Sequence, residues 1–137
     1  MATFQSAEEF YSVFGTFLAD MMQDPELGPK FAGVGKAVLM RFSSPDASIL
    51  LDCTTDPPQV TTDPPTDVEG DVALSMKADD GHKFWLGQYN ITLGLAKRSV
   101  KVSGNIGAML GLLPALQPAF ARYEVYLKET GREALLT

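Results

Sequence analysis

The sequence has one cysteine and one histidine in 137 residues. The lone Cys53 excludes an internal disulfide framework and any zinc site built from several thiolates. A single histidine, His82, leaves little for general acid–base chemistry. Positive charge is also scarce: 11 Lys and Arg stand against 17 Asp and Glu, a formal net charge of −6. That balance argues against nucleic acid as a partner, because phosphate binding needs a basic face. It argues equally against simple adhesion to anionic membranes. Long apolar runs are missing too. The longest, residues 106–116, contains Gly107, Gly111 and Pro114, whereas a membrane span needs ~20 residues. The start, Met-Ala-Thr-Phe-Gln-Ser-Ala-Glu-Glu, has no basic region followed by an apolar stretch, and Leu135-Leu136-Thr137 is not a peroxisomal address. A cytoplasmic location is the expectation.

What is present favours one globular domain over residues 1–137. Hydrophobic residues make up 45% of the chain, too many for disorder. A chain of this length buries roughly two-thirds of its unfolded surface and folds without metal or disulfide. Ser6 and Glu9 have capping-box spacing, and Phe10, Val13, Phe14, Phe17, Leu18 and Met21 follow at helical period. Asp24-Pro25 ends that helix and starts a short turn, which Gly28-Pro29 is expected to stop. Val38, Met40 and Phe42 alternate with Leu39 and Arg41; Ala47, Ile49, Leu51 and Cys53 alternate with Ser48, Leu50 and Asp52. The two runs predict a hairpin. Thr-Asp-Pro-Pro occurs at 55–58 and again at 62–65, so residues 59–61 are expected as a blunted edge strand.

Residues 71–77 alternate again. Asp79 is expected to cap a helix carrying Phe84, Trp85 and Leu86 and ending at Gly87; Asn90 caps another through Ile91, Leu93, Leu95 and Ala96. Residues 99–103 read as a last strand. Gly104-Asn105 starts an apolar helix that Pro114 breaks, and the final helix begins near Gln117, striped by Leu116, Phe120, Tyr123 and Leu127. Strands and helices are segregated. The expected fold is α+β, a five-stranded, mostly antiparallel sheet with helices covering one face.

No catalytic constellation assembles from these residues. His82 with Asp79 and Asp80 reads either as a weak metal site or as a helix whose acidic first turn suits its dipole. No further ligand is tied to it by spacing, so no metal or other cofactor is expected. Cys53 sits on the inward register of its strand and reads as a small core residue rather than a nucleophile. Gly33-Val34-Gly35-Lys36 falls short of a phosphate loop, because Lys30 and Ala37 stand where glycine and a hydroxyl residue are needed. Six methionines, with Gly94, Gly107 and Gly111 among large apolar residues, fit either an apolar cavity between sheet and helices or a loosely packed ordinary core. Lys97, Arg98 and Lys101 are either a solvated turn or the contact for a carboxylate or phosphate head group.

The order of segments is similar to that of the sterol carrier protein type 2 family. Asp71-Val-Ala-Leu-Ser-Met-Lys-Ala-Asp-Asp, Phe84-Trp85-Leu86-Gly87 and Lys97-Arg98-Ser99-Val100-Lys101-Val102-Ser103-Gly104-Asn105 carry the resemblance. The apolar run 106–113, Gly28-Pro29-Lys30-Phe31 and the hairpin over 36–53 are consistent with it. The likeness covers about Ser6 to Leu127. It implies a five-stranded sheet and helices enclosing an apolar tunnel that binds sterols, fatty acids, fatty acyl-CoA or phospholipids without chemistry. Without a peroxisomal signal the chain looks like a stand-alone bacterial-type member, with fatty acid, fatty acyl-CoA or sterol-like ligands as cargo and acyl chains favoured over sterol. On the elements that cover the sheet in that family, Met76, Phe84, Leu93, Ile106, Met109, Leu110, Leu113, Leu116 and Phe120 are expected to line the pocket.

Two functions follow. One is an intracellular lipid carrier, in transient contact with membranes as it loads and unloads. The other is a non-catalytic accessory domain that presents an acyl substrate to a partner enzyme. An enzyme in its own right is disfavoured by the single histidine and the lack of an acid–base pair. Pro114 and Pro118 bracket a break between two apolar helices; the break is either a plain corner or a hinge that lets the last helix gate the pocket.

Overall fold

Ser6 stands ahead of the first helical residue, and its Oγ accepts the Glu9 N–H at 3.1 Å. The Glu9 carboxylate turns back to the Gln5 N–H at 3.0 Å, so the reciprocal arm of the capping box lands one residue earlier than expected. The computed structural model describes residues 4–65, 69–104, 107–111 and 113–136, with the backbone alone described at Ala108, Met109 and Ala115. Helix α1 (Ala7–Phe10) passes through a π turn (Tyr11–Gly15) into α2 (Thr16–Met22). Phe10, Val13, Phe14, Phe17, Leu18 and Met21 are all buried, none more than 3% exposed. Burying each such side chain contributes roughly 1.5–3 kcal/mol.

The next turn corrects the sequence reading. Asp24 caps as expected, its carboxylate accepting the Glu26 and Leu27 N–H groups at 2.9 and 2.7 Å. Gly28-Pro29 does not stop the helix; both residues lie inside α3 (Leu27–Ala32). Pro29 is tolerated because it falls in the first turn, where an N–H would have no partner within the helix.

Five strands follow: β1 (Ala37–Ser43), β2 (Ala47–Asp52), β3 (Gln59–Thr62), β4 (Val72–Lys77) and β5 (Lys101–Ser103). They form one sheet in the order β3-β2-β1-β4-β5. β1 and β2 make the expected hairpin, and β3, between its proline corners, is an edge strand. The pair at the centre of the sheet, β1 and β4, is parallel; the other pairs are antiparallel. The register places Val38, Met40 and Phe42 beside Leu51, Ile49 and Ala47 on one side, and beside Val72, Leu74 and Met76 on the other. This is the helix-facing side, where the Phe42 ring meets Phe10 and Phe14 at centroid distances of 4.7 and 5.5 Å. Arg41, Ser48, Ser75 and Lys101 form the corresponding row on the opposite side.

α4 (Ala78–Trp85) leaves β4 directly. Its cap position is Lys77, with Asp79 and Asp80 in the first turn rather than Asp79 at the cap. It ends as expected: Gly87, at φ +76°, donates to the Phe84 carbonyl at 3.0 Å, and the Gln88 N–H reaches Lys83 O at 2.9 Å. Asn90 Oδ1 accepts the Leu93 N–H at 3.0 Å and caps α5 (Ile91–Ala96). After β5 come α6 (Gly107–Leu110), a 3-10 turn (Leu113–Leu116), α7 (Gln117–Glu129) and a last 3-10 turn (Glu133–Leu136). Asn105, expected at the start of α6, lies outside the described residues.

α7 is fixed to the first helix at several points. Ala119, Tyr123 and Leu127 are buried, Tyr126 Oη donates to Val13 O at 2.9 Å, and the Arg122 guanidinium pairs with the Asp24 carboxylate. His82 of α4 ties α7 to the last turn, meeting Tyr123 Oη and Leu135 O, each at 2.6 Å. Both ring nitrogens are occupied in this way, so the weak metal-site reading of His82 has no free ligand atom. Among the described residues no helix is long and apolar enough to cross a membrane.

Candidate functional site: an apolar cavity under the helices

Between the sheet and its helices lies an apolar cavity of about 100 Å³. The floor is the inward face of three strands: Met40 and Phe42 from β1, Leu51 from β2, and Leu74 and Met76 from β4. Phe14 and Leu18 close one side and Phe31 of α3 another. The roof is made of short pieces: Phe84 and Trp85 of α4, Ile91 and Leu95 of α5, Leu110 of α6, and Leu113 and Leu116 of the 3-10 turn. Gly81 opens space in α4, since a Cβ there would stand 3.0 Å from Phe42 Cε1 and 3.6 Å from Met76 Sδ. Every described lining residue is apolar, so the wall offers burial and dispersion but no group for proton transfer or covalent attack.

Of the residues expected from sequence, the structure brings Met76, Phe84, Leu110, Leu113 and Leu116 into this wall. Phe120 stands one layer back, packing edge-on against Phe84 at a centroid distance of 5.6 Å. Leu93 is a correction: it is 49% exposed and turned to solvent. With Asn90 at the cap, Ile91 and Leu95, four residues apart, take the inward face of α5, and Leu93 lies between them on the other. Ile106 and the Met109 side chain lie outside the described residues. Of the floor, sequence reasoning names only Met76 and misses Met40, Phe42, Leu51 and Leu74 as a binding surface. Its alternation had been read, but a cavity wall and a core face carry the same pattern.

Lys97, Arg98 and Lys101 separate as well. Arg98 and Lys101 line a second concavity of about 400 Å³, together with Arg41 and Lys77. Lys97 is exposed and lies off that lining. Phe42 and Met76 border both this concavity and the apolar cavity, but Arg41, Ser75 and Lys101 stand on the face of the sheet opposite the apolar cavity. Cys53 faces neither; it is 1% exposed, and burial with the nearby Asp52 charge pushes its thiol up to about 11, so the thiolate needed for attack is scarce near neutral pH.

The fold and its cavity define a class, an α+β domain with an apolar cavity between one five-stranded sheet and its helices. The family model of the SCP-2 sterol transfer family matches residues 14–117, and the chain belongs to that family, one of lipid-binding and lipid-transfer domains. Solved structures with the same fold include sterol carrier protein 2 from Yarrowia lipolytica in its apo form, at 17% identity and a TM-score of 0.57, covering 85% of this chain and 88% of that one. The sterol carrier protein domain 2 of Helicoverpa armigera is 18% identical, with a TM-score of 0.61 over 80% of this chain and 89% of its own. UbiJ-SCP2, a ubiquinone synthesis protein, is 16% identical, with a TM-score of 0.56 over 82% of this chain and 89% of its own. At these identities the likeness is one of fold. No curated protein matches the chain in sequence.

Proposed function

We propose that the protein, acting as one unit, carries a lipid non-covalently by holding its hydrocarbon chain in the apolar cavity. The observation that carries this reading is the lining, apolar at every described position and drawn from three strands and most of the helices. A chain of about sixteen carbons gains on the order of 12 kcal/mol gross on leaving water, at ~0.8 kcal/mol per methylene. A bilayer offers nearly the same gain. The net preference between protein and membrane is therefore small, and the carrier both loads and releases while lowering the cost of crossing water. Fatty acyl chains suit the narrow space better than a rigid sterol.

Native mass spectrometry of the purified protein should show a copurified lipid. Leu110→Asp puts a carboxylate in the wall, where its desolvation opposes any apolar occupant. Binding of a fluorescent fatty acid should fall at least about tenfold, a loss of about 1.4 kcal/mol, with the far-ultraviolet circular dichroism unchanged. Undiminished binding overturns the assignment of this cavity. A second reading, an accessory domain presenting an acyl substrate to a partner enzyme, draws support from the shared fold with UbiJ-SCP2, a ubiquinone synthesis protein. It predicts copurification with one enzyme, and a chain that recovers alone favours the free carrier.

A further inference from the structure

Residues 81–123 contain no Asp or Glu and five cations, Lys83, Lys97, Arg98, Lys101 and Arg122. All 17 acids and the other six cations lie elsewhere, so the net charge of −6, with His82 neutral, divides into +5 over this stretch and −11 over the rest. The stretch holds most of the cavity roof: α5, α6 and the 3-10 turn. The exposed acids Glu8, Asp20, Glu26, Glu124 and Glu129 belong to α1, α2, the cap of α3, and α7.

The short α5 divides into two faces. Ile91 and Leu95 line the cavity. Leu93 and Lys97 are exposed; they stand four residues apart, with the Lys97 N–H bonded to Leu93 O at 2.9 Å, and so share the outer face. Two large apolar side chains are strongly exposed among the described residues, Leu93 and Val125. Val125 follows Glu124 on the acidic α7, whereas Leu93 stands beside cations. Arg98 comes directly after the C-cap Lys97 with φ +62°, a position where glycine is the unstrained residue. Arg98 and Lys101 carry the positive surface on to the β5 edge, and Arg41 and Lys77 on the outer face of the sheet add to its potential. Among the described residues none of these five cations has an ion-pair partner. Asp80 is felt at this corner, since burial and its charge raise the pKa of Tyr89, which packs against Gly94 of α5; the cations outnumber it.

We propose that α5 and the β5 edge dock on an anionic lipid bilayer, with Leu93 entering the interface and Lys97, Arg98 and Lys101 meeting the lipid phosphates. An apolar side chain beside several cations supplies both contributions that interfacial binding uses. The acids of α1, α2 and α7 are repelled by the same surface, so the molecule lands in one orientation. A lysine-rich patch suits a bilayer better than an acidic protein, because the cores of protein interfaces are poor in lysine. The inference rests on the carrier reading for its purpose: the helix that meets the bilayer is the helix whose other face lines the cavity.

The test is sedimentation of the full chain with vesicles of phosphatidylcholine alone and of phosphatidylcholine mixed with phosphatidylglycerol. Binding to the mixed vesicles should be about tenfold or more tighter at low salt, and high salt should shrink the difference. The double variant Lys97→Glu/Lys101→Glu should lose most of that difference. The control Lys30→Glu/Lys128→Glu makes the same change in net charge on α3 and α7 and should lose little. Arg98→Gly should weaken binding without lowering the melting temperature, because it removes a cation and relieves the backbone together. Leu93→Trp adds an exposed fluorophore to the buried Trp85, and the mixed vesicles should shield it from acrylamide.

Equal binding to the two kinds of vesicle, equal losses in the two double variants, or a Leu93→Trp fluorophore that stays open to acrylamide each overturn the docking surface. So does a glutamate-rich peptide that binds the patch where vesicles do not, which would make it a site for an acidic protein. The cavity reading is judged apart from this, by binding of a fluorescent fatty acid in solution without vesicles. Loss of that binding alone overturns the carrier and leaves the docking surface standing on the vesicle data.

Discussion

His82 illustrates how one side chain couples the ends of this fold. A carbonyl only accepts, so Nε2 carries the proton toward Leu135 O, and Nδ1 accepts from the Tyr123 hydroxyl. That is the neutral imidazole, at 3% exposure and edge-on to the Phe4 ring. Burial pushes its pKa below the usual 6.5, against smaller upward effects of the Leu135 carbonyl and the Asp79 charge. The unfolded chain therefore binds a proton more readily. The stability from this residue is complete above about pH 6.5 and declines as pH falls through the unfolded value toward the lowered folded one. With a single histidine in the chain, that window is clean. The melting temperature should drop between about pH 7.5 and pH 5, and His82→Phe should flatten the slope. The variant should also start lower by roughly 1–3 kcal/mol, since the Leu135 carbonyl and Tyr123 hydroxyl lose their partner. An unchanged slope in His82→Phe assigns the pH dependence to other groups.

At the scale of elements the central parallel pair depends on close approach just before β4. A Cβ at Gly70 would stand 2.8 Å from Ala37 O, 2.9 Å from Leu39 N and 2.9 Å from Val72 O. All three neighbours are backbone and none swings aside. Gly70→Ala should destabilise by roughly 1–3 kcal/mol, the scale of overpacking, measured as a shift in denaturant midpoint at constant slope. A change within experimental error would mean that the chain ahead of β4 is free to move off β1. Much of this layout is legible in the sequence. The first helix, the hairpin, the proline-bounded edge and the caps at Ser6, Asp24 and Asn90 all rest on local rules. What escapes is whatever needs pairing between distant segments. The cationic row of Arg41 and Lys101 on either side of Ser75 exists because β1 lies parallel to β4, and no local pattern fixes that. The inward face of α5 was missed for a different reason. Six residues are too few for a periodic pattern to distinguish Leu93 from Ile91 and Leu95.

For the whole molecule the central problem is volume. The cavity holds about 100 Å³, whereas pockets that enclose a small organic ligand run about 300–1,000 Å³. A hydrocarbon chain has to part the walls. The sheet cannot give cheaply, because its ladder would break along with its apolar contacts. The sequence offers α7 as a gate, but the structure anchors it through Tyr123 to His82, Tyr126 to Val13 O and Arg122 to Asp24. What remains is the roof ahead of it: α5 and α6, six and four residues long, and the 3-10 turn Leu113–Leu116. Helices this short have little cooperativity of their own. Pro114 and Pro118 remove two N–H donors at the junction with α7, so the roof can lift while α7 stays docked. Hydrogen exchange with and without saturating hexadecanoate should then show strong new protection at Gly94, Lys97 and Gly111, whose N–H groups bond within the roof. Amides of Tyr123 to Leu127 and of Val72 to Met76 should change little. Protection concentrated in α7 instead would restore it as the moving part. Uniform protection would mean that the ligand tightens the whole fold by mass action alone, with about 2.7 kcal/mol expected at a hundred times Kd, and that no local lid exists.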